Sequence, residues 1–287
     1  MVTEHFPVRV LGGPTAVFEY GGLRFLTDPT FDEPGDYARG GSRSLHKTAP
    51  ASGHPADLGR IDVVLLSHDE HPDNLDHTGR ALLADVPLTL TTPAGAERLG
   101  GNAKGLANWQ SIQLGSGPDA DGSDTSAGTG SSPTPAGTGR SDTPTGPGTT
   151  ITVTGVPAVH GPGEREDVEP FTGQVVGFVL TGDGLPTVYV SGDNASLAAV
   201  QEVADKFGAI DTAILFAGAP RIPALFDGAP LVLDSTQAAE AARLLDATRV
   251  VPVHYDSWSH FTEGRDEIVA AFTTAGLADR LDLGLTQ

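Results

Sequence analysis

The chain has no cysteine among its 287 residues. That removes disulfides, thiolate metal ligands and a cysteine nucleophile together, although it leaves the redox compartment undecided. Cationic side chains are scarce too: 17 Lys and Arg stand against 37 Asp and Glu, a formal charge of −20. This balance argues against nucleic acid or an anionic membrane surface as the main partner. A small anionic substrate stays admissible, because a bound metal dominates its local field. No apolar run approaches the roughly 20 residues that a membrane span needs. The opening MVTEHFPVRV also lacks a basic segment followed by an apolar core, so a soluble, cytoplasmic protein is expected. Hydrophobic residues make up 38% of the chain and aromatics 6%. That suffices for one globular core at a length where α/β architectures are commonly single domains.

Against these absences stands one dense segment. Residues 67–77 read SHDEHPDNLDH, with three histidines and three aspartates directly after the apolar run IDVVLL at 61–66. Imidazole nitrogen and carboxylate oxygen suit zinc and similar first-row metals. A buried strand that ends in such side chains presents them at the rim of a rigid scaffold, where a catalytic metal needs them. The competing reading is a polar loop with solvated histidines.

Three further strand signals end the same way. TITVTGVPAVH (150–160) finishes on His160, TVYVSGD (187–193) on Asp193 and RVVPVH (249–254) on His254. Each has its own ordinary explanation. Asp193 and Asn194 are good helix N-caps, His160 suits a turn before Gly161–Pro162–Gly163, and His254 suits a hydrogen-bonded core position. Four strand-terminal candidates in one chain favour a shared metal site over four coincidences.

The order of these motifs resembles the metallo-β-lactamase fold hydrolases, with its lactonase-like branch the nearest in pattern. The matching places are a DP segment after an early strand (Asp28–Pro29), then His68, His71, Asp73 and Asn74, then His160, Gly192–Asp193 and His254. The resemblance implies a four-layer αββα sandwich of two mixed β-sheets flanked by helices. It also implies one metal on His68, His71 and His160 and a second on Asp73 and His254, with Asp193 bridging the two. Two departures matter. Two residues rather than one separate His68 from His71, and Asn74 stands where the family has a histidine. An amide oxygen is a weaker zinc ligand than imidazole, so a single-metal site, or manganese or iron in place of zinc, stays open. Asp76 and His77 lie near enough in sequence to substitute as ligands, but a role in orienting an imidazole, or a place on the surface, is the preferred reading.

The chemistry implied is hydrolysis. A bound metal lowers the pKa of a coordinated water to about 7 and polarises a carbonyl or phosphoryl oxygen. By the same resemblance Asp73 orients that water or takes its proton. The substrate is expected to be a small-molecule ester, lactone, amide or phosphoester. The segment YDSWSHF (255–261) offers Tyr255, Trp258 and His260 as substrate contacts, or Trp258 and Phe261 as local core. The alternative is a degenerate fold member that binds metal or senses a ligand without hydrolysis, and a redox role on the same scaffold would show bound iron. The sequence leaves the oligomeric state open.

Strands are expected at 8–11, 16–20 and 23–26, with a hairpin turn at Gly21–Gly22. A loop at 31–57 is a candidate lid over the site, or a surface excursion. Helical pieces are expected at 79–84 and 94–99, with strands at 88–91, 111–114 and 150–154. In the C-terminal half the hairpin 174–181/187–191 precedes helices at 196–207, 236–247 and 266–275 and strands at 212–216 and 249–253. Residues 115–149 are almost entirely Gly, Ser, Thr, Pro, Asp and Ala. They cannot bury enough surface to offset their ordering entropy, so a disordered insertion within a single 1–287 domain is expected.

Overall fold

Strict alternation of apolar side chains builds the molecule. In a strand, successive side chains point to opposite faces, so a run that is apolar throughout must be covered on both sides. Ile214 and Phe216 join one buried cluster while Ala213 and Leu215 join another, and Val188 and Val190 divide from Tyr189 in the same way. The computed structural model describes residues 6–38, 44–115 and 149–284. Most of the low-complexity insertion, 116–148, lies outside the described residues, as do 39–43 with Arg43.

The N-terminal half contributes β1 (Val8–Gly12), β2 (Thr15–Tyr20), β3 (Leu23–Thr27), β4 (Gly35–Ala38), β5 (Ser44–Lys47), β6 (Val63–Leu65), β7 (Leu88–Thr91) and β8 (Ala103–Gly105). Its helices are α1 (His77–Leu82) and α2 (Pro93–Leu99). The rest supplies β9 (Ser111–Gly115), β10 (Thr150–Pro157), β11 (Val176–Gly182), β12 (Val188–Val190), β13 (Thr212–Phe216) and β14 (Arg249–Val253). The accompanying helices are α3 (Arg165–Thr172), α4 (Leu197–Phe207), α5 (Ser235–Leu244) and α6 (Arg265–Thr274).

Two six-stranded sheets result, ordered β1-β2-β3-β6-β7-β8 and β14-β13-β12-β11-β10-β9. Each is mixed: antiparallel through β1-β2-β3 and parallel from β3 to β8 in the first, parallel through β12-β13-β14 and antiparallel elsewhere in the second. Phe18, Phe25 and Leu65 of one sheet meet Phe178, Val190 and Phe216 of the other in the central core. The outer face of the second sheet packs on Val200 and Val203 of α4, the alanines of α5, and Ile268 and Phe272 of α6. On the outer face of the first sheet Leu26, Val64 and Leu66 meet Leu82 and Leu99. These are the four layers αββα that the sequence resemblance implied.

Strand direction positions the site. β10 and β12 are both antiparallel to β11, so β10, β12, β13 and β14 run the same way. β3 and β6 are parallel in the other sheet. Residues just past the carboxyl ends of such strands emerge together at one edge, where ligands bind in open α/β sheets. The expected loop at 31–57 contains the β4–β5 hairpin, which the short polar strands GDYA and SLHK concealed. Among the described residues no helix is long and apolar enough to cross a membrane.

Candidate metal centre

His68 follows β6, His160 follows β10, Asp193 follows β12 and His254 follows β14, all at that shared edge. His71 and Asp73 reach it from the turn after His68, where the His71 carbonyl accepts hydrogen bonds from the amides of Asn74 and Leu75. All six side chains are buried. Two groups of donor atoms form, His68/His71/His160/Asp193 and Asp73/Asp193/His254, each with its atoms within 4.8 Å of one another. Asp193 belongs to both. Between His68 and His71 the buried Asp69 and the exposed Glu70 both pair with Arg98. The rings of His68, His71 and His160 still lie 4.6–5.3 Å apart.

Neighbouring groups aim these rings. Ser67 Oγ donates to Asp28 Oδ1 at 2.7 Å and lies 3.0 Å from His68 Nδ1. The hydrogen-bond network therefore assigns the proton to His68 Nδ1 and the lone pair to Nε2. His160 Nδ1 sits 2.8 Å from the Leu231 carbonyl, which can only accept, so its Nε2 carries the lone pair. That nitrogen approaches His71 Nδ1 at 3.2 Å and Asp193 Oδ2 at 3.5 Å. His254 Nε2 lies 3.5 Å from both Asp73 Oδ2 and Asp193 Oδ1. Its ring is held between Phe216 and Phe261, and its backbone takes a positive φ of 60°, a strained conformation of the kind that collects at functional sites.

The local charge calls for a cation. Asp28, Asp73 and Asp193 are three buried carboxylates around one cluster. Burial pushes the Asp28 carboxyl well above its ordinary range, against two hydrogen bonds from Ser67 and with Asp193 adding to the rise. Burial opposes ionisation of Asp73 as well, but the His260 and His254 imidazoles outweigh it and hold that carboxyl well below its usual value. For His254, burial is outweighed by Asp193, Asp73 and Asp28, and its pKa rises. Among the described residues Asp73 Oδ1, Asp193 Oδ2 and His254 Nδ1 are buried with no hydrogen-bond partner, and His254 Nε2 has the 3.5 Å contacts to Asp73 and Asp193. Orphaned atoms of this kind are costly unless something satisfies them. Convergent imidazoles and carboxylates with unsatisfied lone pairs fit a divalent metal.

The remaining sequence candidates divide. Asn74 is buried, and its Nδ2 donates to Asp193 Oδ1 at 2.9 Å and to Ser67 Oγ at 3.3 Å, so it props the shared carboxylate. His260 Nε2 lies 3.0 Å from Asp73 Oδ2. Asp76 is not brought to the site: its carboxylate caps α1 at Gly79, accepts the Asp32 amide and pairs with Lys47. His77 is exposed, paired with Asp32 and stacked on Tyr37. Trp258 packs on Tyr37 and Leu45, and Tyr255 packs in the outer core of the second sheet. Asp193 and Asn194 are not helix caps, because Ser196 caps α4. Asn194 Oδ1 instead accepts the Val159 amide, fastening the His160 segment beside Asp193. Gly192 makes this turn at φ +57°, where a Cβ would meet Ser67 Cβ and the Val176 carbonyl at 2.8 Å.

The site opens into a cavity of about 630 Å³ that reaches His71, Asp73, His160 and His260. Its walls come from segments that carry no ligand signal in sequence. These are Phe171 and Thr172 at the end of α3, Ser44 and Leu45 of the β4–β5 hairpin, and Pro220–Leu225 with Leu231 from the 217–234 loop. Part of the segment considered as a lid is therefore cavity wall. The prolines at 170, 220 and 223 masked the helix and the ordered loop alike.

Paired mixed sheets with a His/Asp cluster at their common carboxyl edge define a metal-site protein of the αββα class. A family model described as a beta-lactamase superfamily domain matches residues 23–255. The chain belongs to the metallo-β-lactamase superfamily. A "UPF0173 metal-dependent hydrolase" of Pelotomaculum thermopropionicum is 30% identical over 125 residues, covering 43% of this chain and 50% of that protein. The match spans about half the length of the curated relatives. Among solved structures, the isothiocyanate hydrolase from Delia radicum gut bacteria superposes with a TM-score of 0.70 at 19% identity, over 96% of this chain and 94% of that one. CmlA, a diiron β-hydroxylase from Streptomyces venezuelae, superposes at 0.61 and 16% identity, over 99% of this chain and 54% of that one. At these identities the likeness speaks to the fold alone.

Proposed function

We propose that this protein is a metal-dependent hydrolase of a small-molecule ester, lactone, amide or phosphoester, acting as one unit over its whole length. The observation that carries the reading is the convergence of six buried donors, three of them (His71, Asp73 and His160) reaching the cavity, with Asp73 Oδ1 and Asp193 Oδ2 left without a hydrogen bond among the described residues. His68, His71 and His160, with Asp193, would hold one ion, and Asp73 and His254, sharing Asp193, a second. Zinc suits a set of three imidazoles and a carboxylate. When bound, the metal supplies a Lewis acid that acidifies water and polarises an acyl or phosphoryl oxygen. The protein's own part is positional. Asp73, held ionised by His260 and His254, orients the attacking water through Oδ1, while His260 fixes the carboxylate through Oδ2. Asn74 holds Asp193 in place from below. The names of the curated relatives support metal-dependent hydrolysis.

A panel of aryl esters, lactones, amides and phosphodiesters, assayed with wild type and with His71→Ala and Asp193→Ala, tests this. Turnover that falls at least 100-fold in both variants, together with lost metal, is the expected outcome. Unchanged turnover in both would overturn it. Bound iron with visible absorbance and no hydrolysis would move the protein toward redox chemistry such as that of the diiron neighbour.

A further inference from the structure

The cavity wall carries a charge that is not among the metal-ligand candidates. Arg221, in the 217–234 loop between β13 and α5, is half-buried and lines the cavity. Among the described residues that line the cavity it is the one guanidinium, with no lysine beside it, and Asp73 is the one carboxylate. Among the described residues eight other arginines pair with carboxylates and two, Arg9 and Arg265, do not. Among the described residues no carboxylate lies within 4.0 Å of Arg221, in a chain whose acids outnumber its bases 37 to 17.

The side chain is positioned all the same. Its backbone amide donates to the His260 carbonyl at 3.0 Å, and Nη1 donates to the Gly228 carbonyl at 2.8 Å. A guanidinium has five N–H donors in a planar fork that matches carboxylate and phosphate oxygens. Among the described residues one of the five has a partner, the Gly228 carbonyl. Around it Leu45, Phe171, Ile222 and Leu225 make the wall apolar. Phe171 is 65% exposed, meets Phe226 edge-on and adds an aromatic face to that wall.

We propose that Arg221 binds an anionic group, carboxylate or phosphate, of a substrate whose body is apolar. The substrate class rests on the hydrolytic reading above; the anion site itself does not. An amphiphilic anion places its charge on Arg221 and its hydrocarbon or aryl part against Phe171 and Ile222, with the scissile bond toward Asp73. Apart from a bound metal, Arg221 is the cationic group that the described cavity wall offers such an anion.

The test is calorimetric binding to the metal-loaded protein of 3-phenylpropionate, its neutral isostere 3-phenylpropionamide, and phenyl phosphate. Turnover of matched aryl esters with and without a carboxylate follows. Wild type should bind one of the anions at least 10-fold tighter than the amide, and which anion distinguishes carboxylate from phosphate recognition. Arg221→Gln should weaken that anion about 10- to 100-fold, the worth of a charge-assisted pair, and change the amide less than about 3-fold. Arg221→Lys should recover part of the loss, keeping charge without the fork. Kinetically, Arg221→Gln should raise KM for the anionic ester alone.

Anion binding unchanged in Arg221→Gln would overturn the proposal by placing the anion on the metal. Equal losses for anion and amide would also overturn it, because Arg221 would then only brace the loop through Gly228. No binding of either anion by wild type would overturn it outright. Arg221-dependent anion binding without turnover of any ester would sustain the anion site and remove the hydrolytic reading.

Discussion

Asp76 and Lys47 form a buried ion pair whose disruption should be asymmetric. Lys47 Nζ lies 3.0 Å from Asp76 Oδ2, with the two side chains 1% and 0% exposed. At an effective dielectric of about 20 the Coulomb attraction at that distance is about 5.5 kcal/mol, and desolvation of each ion costs several kcal/mol in return. The pair itself is therefore close to neutral, whereas stranding one member is costly. Asp76→Ala leaves Lys47 buried with, among the described residues, the Trp258 ring 5.8 Å from Nζ as its remaining partner. It also uncaps α1 at Gly79 and orphans the Asp32 amide. The stranded ammonium should cost about 3–5 kcal/mol and the lost cap about 1 kcal/mol. Lys47→Met strands a carboxylate that keeps two backbone N–H donors, and should cost about 1.5–3 kcal/mol. The double variant no longer contains the stranded ammonium, so adding Lys47→Met to Asp76→Ala should restore about 2 kcal/mol. Urea unfolding followed by circular dichroism on wild type, both single variants and the double closes the cycle. A double variant no more stable than Asp76→Ala would refute the reasoning, and with it the account of how the β4–β5 hairpin is pinned beside the cavity.

Other expectations follow from the same physics. Asn74→Ala removes the donor to Asp193 Oδ1 and should weaken metal binding about 10- to 100-fold, measured by competition with a chromogenic chelator; equal affinity would show that the amide is a bystander. Gly192→Ala forces a Cβ into Ser67 and the Val176 carbonyl at positive φ. It should lose at least about 2 kcal/mol of stability in urea titration, and a neutral result would discredit the close approach of the two sheets at this turn. Asp32 is held well below the ordinary carboxylate range. Burial opposes this but is outweighed by hydrogen bonds from Thr78, Tyr37 and His77. Its folded pKa is depressed, so its stabilisation is present above the unfolded value of about 4 and is lost as pH falls below it. The stability gap between wild type and Asp32→Asn should accordingly narrow from pH 6 to pH 3, and a constant gap would contradict the network.

Much of the scaffold was legible because its signals are local. The runs IDVVLL, TVYV and RVVPV are apolar on both faces, and each is followed at once by a chemically competent side chain, so strand and candidate ligand are read together. The hairpin turn at Gly21–Gly22 and the strands Thr212–Phe216 and Arg249–Val253 needed nothing else. What stayed hidden depends on partners distant in sequence. Arg221 is one polar residue in a proline-rich loop until Pro220 bridges to Phe261 and turns that loop into a cavity wall. Helix α3 was obscured by Pro170 and by the GPGE turn before it, although Val168 and Thr172 are buried. Asp76 and His77 show the converse. Adjacent in sequence to the ligand cluster, they leave it because the chain turns into α1 at Asp76. Asp28 was visible as half of a DP pair, but its part in orienting His68 through Ser67 needed the second strand in place.

The most direct test of the central claim is the metal content of the untagged, as-purified protein by inductively coupled plasma mass spectrometry, beside His71→Ala and Asp193→Ala. The account predicts between one and two equivalents of divalent metal in wild type and marked loss in both variants, deeper for Asp193→Ala because both donor groups share that carboxylate. A folded wild-type protein that binds no metal even after reconstitution would contradict it.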